Sequence, residues 1–369
     1  MTYRKAIGLM SGTSMDGIDV ALIETDGEQV RRSGKGMTFA YGDDARELIR
    51  QAMAEAEKAG VRPRNSSCID EAEDMITRGH AQAVKRFAGK IGLNLADVDV
   101  IGFHGQTILH RPDKGYTVQL GNGQLLADLT GVEVVYDFRS RDVLAGGQGA
   151  PLAPAYHRAL ARAARLITPL VIVNIGGISN VTWVGRGGEM LAFDAGPGNA
   201  LLDDWVQRYA DQPMDRDGRM AQRGTVDESA VTAFMGQDYF SQKPPKSLDR
   251  HDFSAFLVEG LGPADGAATL TAITTEAIAR AVDHMPKKPV QWVISGGGAL
   301  NPVMMKMLKS RLKGRVDSAQ ALGWSVDYME AEAFAFLAVR SCYNLPITFP
   351  GTTGVLEPMT GGVRVRPAT

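Results

Sequence analysis

Cysteine is almost missing from this chain. Its two thiols, Cys68 and Cys342, lie far apart in 369 residues. They make neither a disulfide framework nor a zinc-ligand cluster. So little cysteine points to a reducing, cytoplasmic setting. Long apolar runs are missing too: none reaches the ~20 residues that a membrane-spanning helix needs. The opening residues, Met1-Thr2-Tyr3-Arg4-Lys5-Ala6, lead at once into strand-like sequence, and no signal peptide is expected. Neither sign of charge dominates. There are 40 basic and 42 acidic residues, a net charge of −2, and no long like-charge block. That excludes an electrostatic case for nucleic acid or an anionic membrane as partner. Low-complexity segments and long linkers are also absent. What remains is a globular composition, 44% hydrophobic and 22% charged. The length suits two domains better than one core.

What the chain does have is glycine placed after apolar runs. In Ile7-Gly8-Leu9-Met10-Ser11-Gly12-Thr13-Ser14-Met15-Asp16-Gly17-Ile18-Asp19-Val20-Ala21-Leu22-Ile23, two apolar runs flank a small polar turn. That pattern predicts a β-hairpin with strands over Lys5–Met10 and Ile18–Thr25. Two readings of its turn stand. Glycines let a backbone approach an anion while Ser11, Thr13 and Ser14 add donors, which makes a phosphate site. The alternative is an ordinary glycine-rich turn.

The remaining chain reads as α/β. Helical spacing covers Asp44–Lys58 and Asp70–Ile91, with Met75, Ile76, Ala83, Val84, Phe87 and Ile91 on one face. A buried strand over Val98–Phe103 ends in His104-Gly105-Gln106-Thr107, and further strands cover Tyr116–Leu120 and Val132–Tyr136. The polar, glycine-rich run from Asp137 to Pro151 is the expected domain connection. A helix over Leu152–Arg165 follows. Then the opening pattern returns: Pro169 to Val184 is again strand, glycine turn and strand, around Asn174, Gly176 and Gly177. A strand over Glu189–Phe193 leads into Asp194-Ala195-Gly196-Pro197-Gly198-Asn199 and a helix over Ala200–Tyr209. Later come a helix over Ala267–Met285, a strand over Val290–Ser295 running into Gly296-Gly297-Gly298, and a helix over Glu330–Tyr343. The repeated hairpin is an internal duplication.

Glycine turns around Gly12, Gly176 and Gly296, each after a strand, resemble the actin-like ATPase superfamily, which includes sugar kinases. The resemblance implies a two-domain α/β fold, actin-like, hexokinase-like and ribonuclease H-like, with an ATP cleft between the domains. The domains expected are Met1–Asp137 and Phe138 onward, with roughly the last twenty residues packing back onto the first. The wording of the motifs is narrower. Gly8-Leu9-Met10-Ser11-Gly12-Thr13-Ser14-Met15-Asp16-Gly17 is similar to anhydro-N-acetylmuramic acid kinases. So are Phe103-His104-Gly105-Gln106-Thr107, Asp137-Phe138-Arg139-Ser140-Arg141-Asp142, Asn174-Ile175-Gly176-Gly177-Ile178-Ser179-Asn180, Phe193-Asp194-Ala195-Gly196-Pro197-Gly198-Asn199 and Pro244-Pro245-Lys246-Ser247. Many superfamily members carry an aspartate where this chain has Met10, and the resembled family lacks it as well.

That resemblance implies opening of a 1,6-anhydro amino sugar by water, with phosphorylation of O6 by ATP, in a magnesium-dependent homodimer. The expected ATP-binding residues are Gly12, Thr13, Ser14, Met15, Asp16, Gly17, Ile18 and Asp19, then Asn174, Gly176, Gly177, Gly296, Gly297 and Gly298. Asp16 and Asp194 are the carboxylates expected near the metal, through water. Asp194 ends a strand before a glycine turn, where a carboxylate serves as a general base or as a helix N-cap; the resemblance favours the base. Glu330 opens a helix, a place that favours acids in any protein, and the resemblance makes it a second catalytic carboxylate. Arg139 and Arg141, two apart, would share one face of an extended segment. They read as a fork for the substrate's lactyl carboxylate or as a solvated surface pair. Ser11 is a further expected substrate contact, and His104 and Gln106 are further sugar contacts or simply satisfied polar turn residues. Lys246 could reach a substrate or phosphate, or stay solvated. The rival functions are a kinase acting on a free hydroxyl and a non-metabolic actin-like ATPase.

Overall fold

A computed structural model describes residues 1–248 and 252–368. The chain falls into two compact units, one of residues 1–164 with 327–369, the other of residues 165–326. The expected connection at Asp137–Pro151 therefore lies inside the first unit. Its residues are not a linker, because Ser140–Leu144 forms a helix and Asp142, Val143 and Leu152 are buried.

In the first unit the chain opens with β1 (Arg4–Ser11), β2 (Gly17–Thr25) and β3 (Val30–Ala40), an antiparallel meander. The polar β3 had no clear strand signal, since it is a largely exposed sheet edge. Helices α1 (Asp43–Ala59) and α2 (Ser67–Ile91) follow. The Ser66 hydroxyl accepts the Ile69 N–H at the start of α2, and a left-handed Gly92 ends it. Next come β4 (Val100–Arg111), β5 (Tyr116–Leu120), α3 (Gly123–Thr130), β6 (Val134–Tyr136), α4 (Ser140–Leu144) and α5 (Pro154–Ala163). Strand β4 runs parallel to β1 and continues past the expected end at Phe103, because its far half pairs with β5.

The second unit repeats the plan with β7 (Leu170–Ile175), β8 (Ile178–Val184) and β9 (Met190–Pro197), again an antiparallel meander. Then follow α6 (Ala200–Ala210), α7 (Glu228–Phe234), α8 (Pro263–Arg280), β10 (Gln291–Ser295), α9 (Pro302–Arg311) and β11 (Arg315–Ser318). Strand β10 lies parallel to β7, as β4 does to β1. The strand order is β11-β10-β7-β8-β9 here and, with the C-terminal β12 (Val363–Val365), β12-β6-β4-β1-β2-β3 in the first unit. Each unit thus carries the same α/β plan, an antiparallel meander extended by parallel strands. The chain finally returns to the first unit through α10 (Met329–Cys342), α11 (Pro350–Thr353) and β12 (Val363–Val365).

Alternation along the strands places the first unit's layers. Ile7 and Leu9 of β1, with Ile101 and Phe103 of β4, join Ile76, Val84 and Phe87 of α2 in one core. Between them, Gly8 and Gly102 turn to the opposite face and meet α10. A Cβ at Gly8 would strike the Ala331 carbonyl, and one at Gly102 the Phe334 carbonyl. Only glycine lets the helix backbone lie directly on the sheet. Both cysteines are free thiols. Among the described residues no helix is long and apolar enough to cross a membrane.

Candidate active site

The first turn joins β1 to β2, and its shape comes from hydrogen bonds on both sides. The Met15 N–H reaches the Gly12 carbonyl, with Met15 in the left-handed region at φ 57°. Beneath it the buried Ser11 hydroxyl donates to Gln106 Oε1 at 2.5 Å and lies 3.0 Å from the Tyr41 hydroxyl. Gln106 Nε2 donates to the Gly12 carbonyl at 3.1 Å. Ser11 and Gln106 are 1% and 0% exposed, so both brace the turn from below and neither side chain faces outward. Ile18 also points inward, into the core of β1, β2 and α2. Thr13, Ser14 and Asp16 are the exposed side chains of the turn.

Space around the glycines separates two kinds. At Gly17, Gly296 and Gly298 a Cβ would collide with the protein itself, so packing alone explains them. At Gly12, Gly176, Gly177 and Gly297 a Cβ would meet nothing closer than 3.5 Å. No protein atom demands glycine there, so packing does not explain them.

Midway along β4, His104 comes together with Arg139. Arg139 donates Nε and a terminal N–H to His104 Nε2 at 3.2 and 3.0 Å, and another N–H to the Gly149 carbonyl at 2.7 Å. The accepting Nε2 leaves the proton on Nδ1, which donates to the Gly105 carbonyl at 2.8 Å. His104 is buried and its pKa is pushed well down, by desolvation first and the Arg139 charge second, so it is a neutral hydrogen-bonding group. Burial also lowers Arg139 to about 10, against the opposing pull of Glu330 and Asp142; it stays charged at neutral pH. Three of its N–H groups are engaged, and a guanidinium has five, so donors remain for an anion. Glu330 stands in the first turn of α10. Solvent reaches it, yet the protein around it raises its pKa by desolvation; Arg139 opposes that rise and Asp19 adds to it. Beside His104 opens a hollow of about 240 Å³, lined by Arg62, Glu73, Gln119, Asp137 and Ser140 among others.

Arg141 does not join Arg139. The segment is the helix α4 rather than extended chain, so the two side chains diverge, and Arg141 donates to the Thr360 hydroxyl at 2.8 Å. Around Asp19, the Thr38 hydroxyl donates at 2.6 Å while burial, Asp327 and Asp16 raise its pKa. Among the described residues no three His, Cys, Asp or Glu side chains converge as a metal cage.

In the second unit the turn is held mostly by backbone. The Gly176 carbonyl accepts the Asn199 N–H at 2.7 Å, and the Gly177 carbonyl accepts the Gly198 and Ala200 N–H groups. Gly198 is so close that a Cβ would strike the Gly176 carbonyl. Asn174 of β7 lies against Gly296, where the strand β10 turns into the glycine run.

Asp194 lies inside β9, paired with Asn180 of β8, and is no helix cap, since Asn199 holds that position in α6. Three hydrogen bonds hold it. Its own N–H donates to the Lys246 carbonyl at 3.1 Å, the Tyr239 hydroxyl donates to its carbonyl at 2.7 Å, and the Leu248 N–H donates to Oδ2 at 2.8 Å. Burial pushes its pKa up to about 6, and the Leu248 N–H pulls the other way. A carboxylate poised near neutrality with one oxygen fixed is equipped to take a proton. Lys246 does not reach outward. Its Nζ donates to the Tyr239 carbonyl at 3.0 Å, over the Tyr239 ring, and lies 3.3 Å from His284 Nε2; burial lowers its pKa to about 8. Tyr41, Tyr239 and Leu248 escaped sequence reading, because each acts across a long loop with no local pattern.

The family described as anhydro-N-acetylmuramic acid kinase matches residues 4–366. The chain is 52% identical to the anhydro-N-acetylmuramic acid kinase of Methylobacterium nodulans, over 98% of this chain and 100% of that one. It is likewise 52% identical to the enzyme of that name from Rhodopseudomonas palustris, over 98% and 100%. Among solved structures, the activator of the 2-hydroxyisocaproyl-CoA dehydratase from Clostridium difficile superposes with a TM-score of 0.46 at 13% identity, over 92% of this chain and 96% of that one. By its sequence over nearly its whole length, the chain belongs to the anhydro-N-acetylmuramic acid kinase family.

Proposed function

We propose that this chain is an ATP-dependent kinase of 1,6-anhydro-N-acetylmuramic acid. It opens the bridge between C1 and O6 with water and phosphorylates O6, giving N-acetylmuramic acid 6-phosphate and ADP in cell-wall recycling. The observation that carries the mechanism is Asp194: a strand-borne carboxylate with a pKa near 6 and one oxygen already engaged by the Leu248 N–H. In this reading Asp194 takes a proton from water as the water oxygen bonds to C1. The C1–O6 bond breaks, and O6 takes the γ-phosphoryl group, with the electron pair leaving on ADP. Glu330 assists on the sugar, and Arg139, with donors to spare beside neutral His104, receives the lactyl carboxylate.

The bare turns at Gly12, Gly176, Gly177 and Gly297 suit phosphate and nucleoside. Thr13 and Ser14 add hydroxyl donors, with Met15 and Asp19 shaping the turn. The donor set fits magnesium as a hydrated ion: Asp16 is exposed, and Asp19 is crowded by Asp16 and Asp327, a repulsion that a cation would relieve. Bound magnesium supplies charge neutralisation for the phosphates. Asp16 is the residue to hold it through water, and Asp194 is left to serve as the base. A homodimer and a cytoplasmic location belong to the same proposal; sedimentation equilibrium tests the former.

The deciding experiment uses ¹⁸O-labelled water with ATP, magnesium and the anhydro sugar. The expected product is a sugar 6-phosphate carrying one heavy oxygen, absent with Asp194→Asn. A phosphorylated product without heavy oxygen would mean a kinase acting on a free hydroxyl. ATP hydrolysis indifferent to sugar would mean a non-metabolic ATPase.

A further inference from the structure

The segment Pro244 to Leu248 crosses the back of β9 at the level of Asp194. Among the described residues β9 is the edge of its sheet, and the segment runs along that edge. The Asp194 N–H enters the Lys246 carbonyl, and two residues later the Leu248 N–H returns to Asp194 Oδ2. The second of these bonds stabilises the charged carboxylate against its burial.

Backbone donors in a loop hold their place only if the loop is tied down. Lys246 supplies the tie. Its Nζ donates to the Tyr239 carbonyl at 3.0 Å, and lies 4.5 Å from the centre of the Tyr239 ring and 5.6 Å from that of Phe193. Tyr239 in turn donates its hydroxyl to the Asp194 carbonyl. His284, 3.3 Å from the same Nζ, reaches the Phe240 carbonyl at 3.0 Å and packs edge-on against Phe193. Phe193 is the residue immediately before Asp194. The ammonium thus fastens the loop, the Tyr239 turn and the strand residue beside the carboxylate.

We propose that Lys246 is a positioning residue for Asp194: by anchoring the 244–248 strap it keeps the Leu248 N–H on the carboxylate and so sets the acidity of the base. The proposal rests on Asp194 being the base only for its kinetic consequence. The strap's effect on the carboxyl group stands without any substrate.

Among the described residues, the charged and titratable groups around the strap are Tyr239, Asp252 near it, His284 and Lys246. The ammonium is turned to the Tyr239 carbonyl and the rings, and no direct pull of its charge contributes to the Asp194 shift. Its influence therefore travels through the backbone. Losing one N–H donor from a carboxylate should raise its pKa by about one unit.

The test titrates Asp194 directly by ¹³C NMR of labelled aspartate carboxyls, assigned with Asp194→Asn, in the full-length protein without substrate. Lys246→Met should raise the Asp194 pKa by about one unit, and Lys246→Arg should restore most of the original value. Leu248→Pro removes the same N–H without changing any charge, and should give the same upward shift. In kinetics, Lys246→Met should move the acid limb of kcat upward by the same amount, with the KM for ATP unchanged. A carboxyl titration unmoved in both Lys246→Met and Leu248→Pro overturns the proposal. A shift with Lys246→Met but none with Leu248→Pro also overturns it, because the lysine would then act by charge alone. If the carboxyl shifts as expected while no variant and no wild-type protein turns over the anhydro sugar, the strap stands and the substrate assignment fails.

Discussion

The two glycine turns share a plan but not a support. The first, between β1 and β2, rests on side chains: Ser11, Tyr41 and Gln106 hold it from beneath. The second, between β7 and β8, rests mostly on backbone, its carbonyls taking N–H groups from Gly198, Asn199 and Ala200, with the Asn199 side chain donating to the Ile175 carbonyl at 3.2 Å. The two candidate carboxylates differ in the same spirit. Glu330 is carried by a helix laid on the sheet at Gly8 and Gly102, whereas Asp194 is held in a strand by a loop strapped across it. The lesson is that duplication copies the strand path, while each copy finds its own way to satisfy buried polar groups. Side-chain support can be removed atom by atom; backbone support can be disturbed only through sterics.

The largest expected effect tests the carboxylate pair. Asp194→Asn should lower kcat by roughly 10²–10⁴-fold. The same change should stabilise the fold at neutral pH. The carboxyl is raised to about 6 in the folded protein from an ordinary 3.8. Between those values the native state binds more protons than the unfolded chain, so stability is greatest below the unfolded pKa and declines as pH rises through about 6. Asparagine removes that decline, worth ~1–3 kcal/mol at pH 7. Denaturant melts at pH 4.5 and pH 7.5 check it: wild type and variant should differ mainly at the higher pH. The wild-type rate should fall below pH 6, as the base becomes protonated.

Next, Arg139→Ala should raise the KM for the sugar by about 10–100-fold, as expected for loss of a charge-assisted bond worth ~1.5–3 kcal/mol. Its effect on ATP should be small, which steady-state kinetics with each substrate varied would show. Gly176→Ala and Gly198→Ala sharpen the contrast within the second turn. At Gly176 a Cβ has room, so stability should stay within about 0.5 kcal/mol while ATP affinity drops at least tenfold, read by calorimetry. At Gly198 the Cβ meets a carbonyl, so stability itself should fall by ~1–3 kcal/mol. For the first turn, Ser11→Ala leaves Gln106 and Tyr41 short of a partner and should cost ~1–2 kcal/mol, with a modest rise in the KM for ATP. The smallest effect is reserved for Arg141→Ala. Exposed and bonded to Thr360, it should change stability by less than about 0.5 kcal/mol and leave the sugar KM alone.

Much of this was legible in the chain. The apolar runs around Gly12 and Gly176 predict both hairpins, because strand and turn chemistry are local. Helix α2 was readable from its spacing for the same reason. The polar β3 was not, since an exposed edge strand has no apolar face to betray it. Two arginines at a spacing of two suggested one face, yet α4 separates them, because a short helix inside a polar stretch is fixed by what buries Asp142 and Val143. The candidate site followed the same division. His104, Arg139 and Asp194 were legible as residue types in motifs. That Ser11 and Gln106 are bracing groups was not, because only burial distinguishes a bonded polar residue from a binding one.

The sequence alone determined the family and the duplicated hairpins, since these depend on local pattern and residue chemistry. Tertiary structure decided what each polar group does. The acidity of Asp194, the neutral state of His104 and the inward turn of Lys246 depend on desolvation and on partners tens of residues away. Those are properties of an environment, and no stretch of chain contains its own environment.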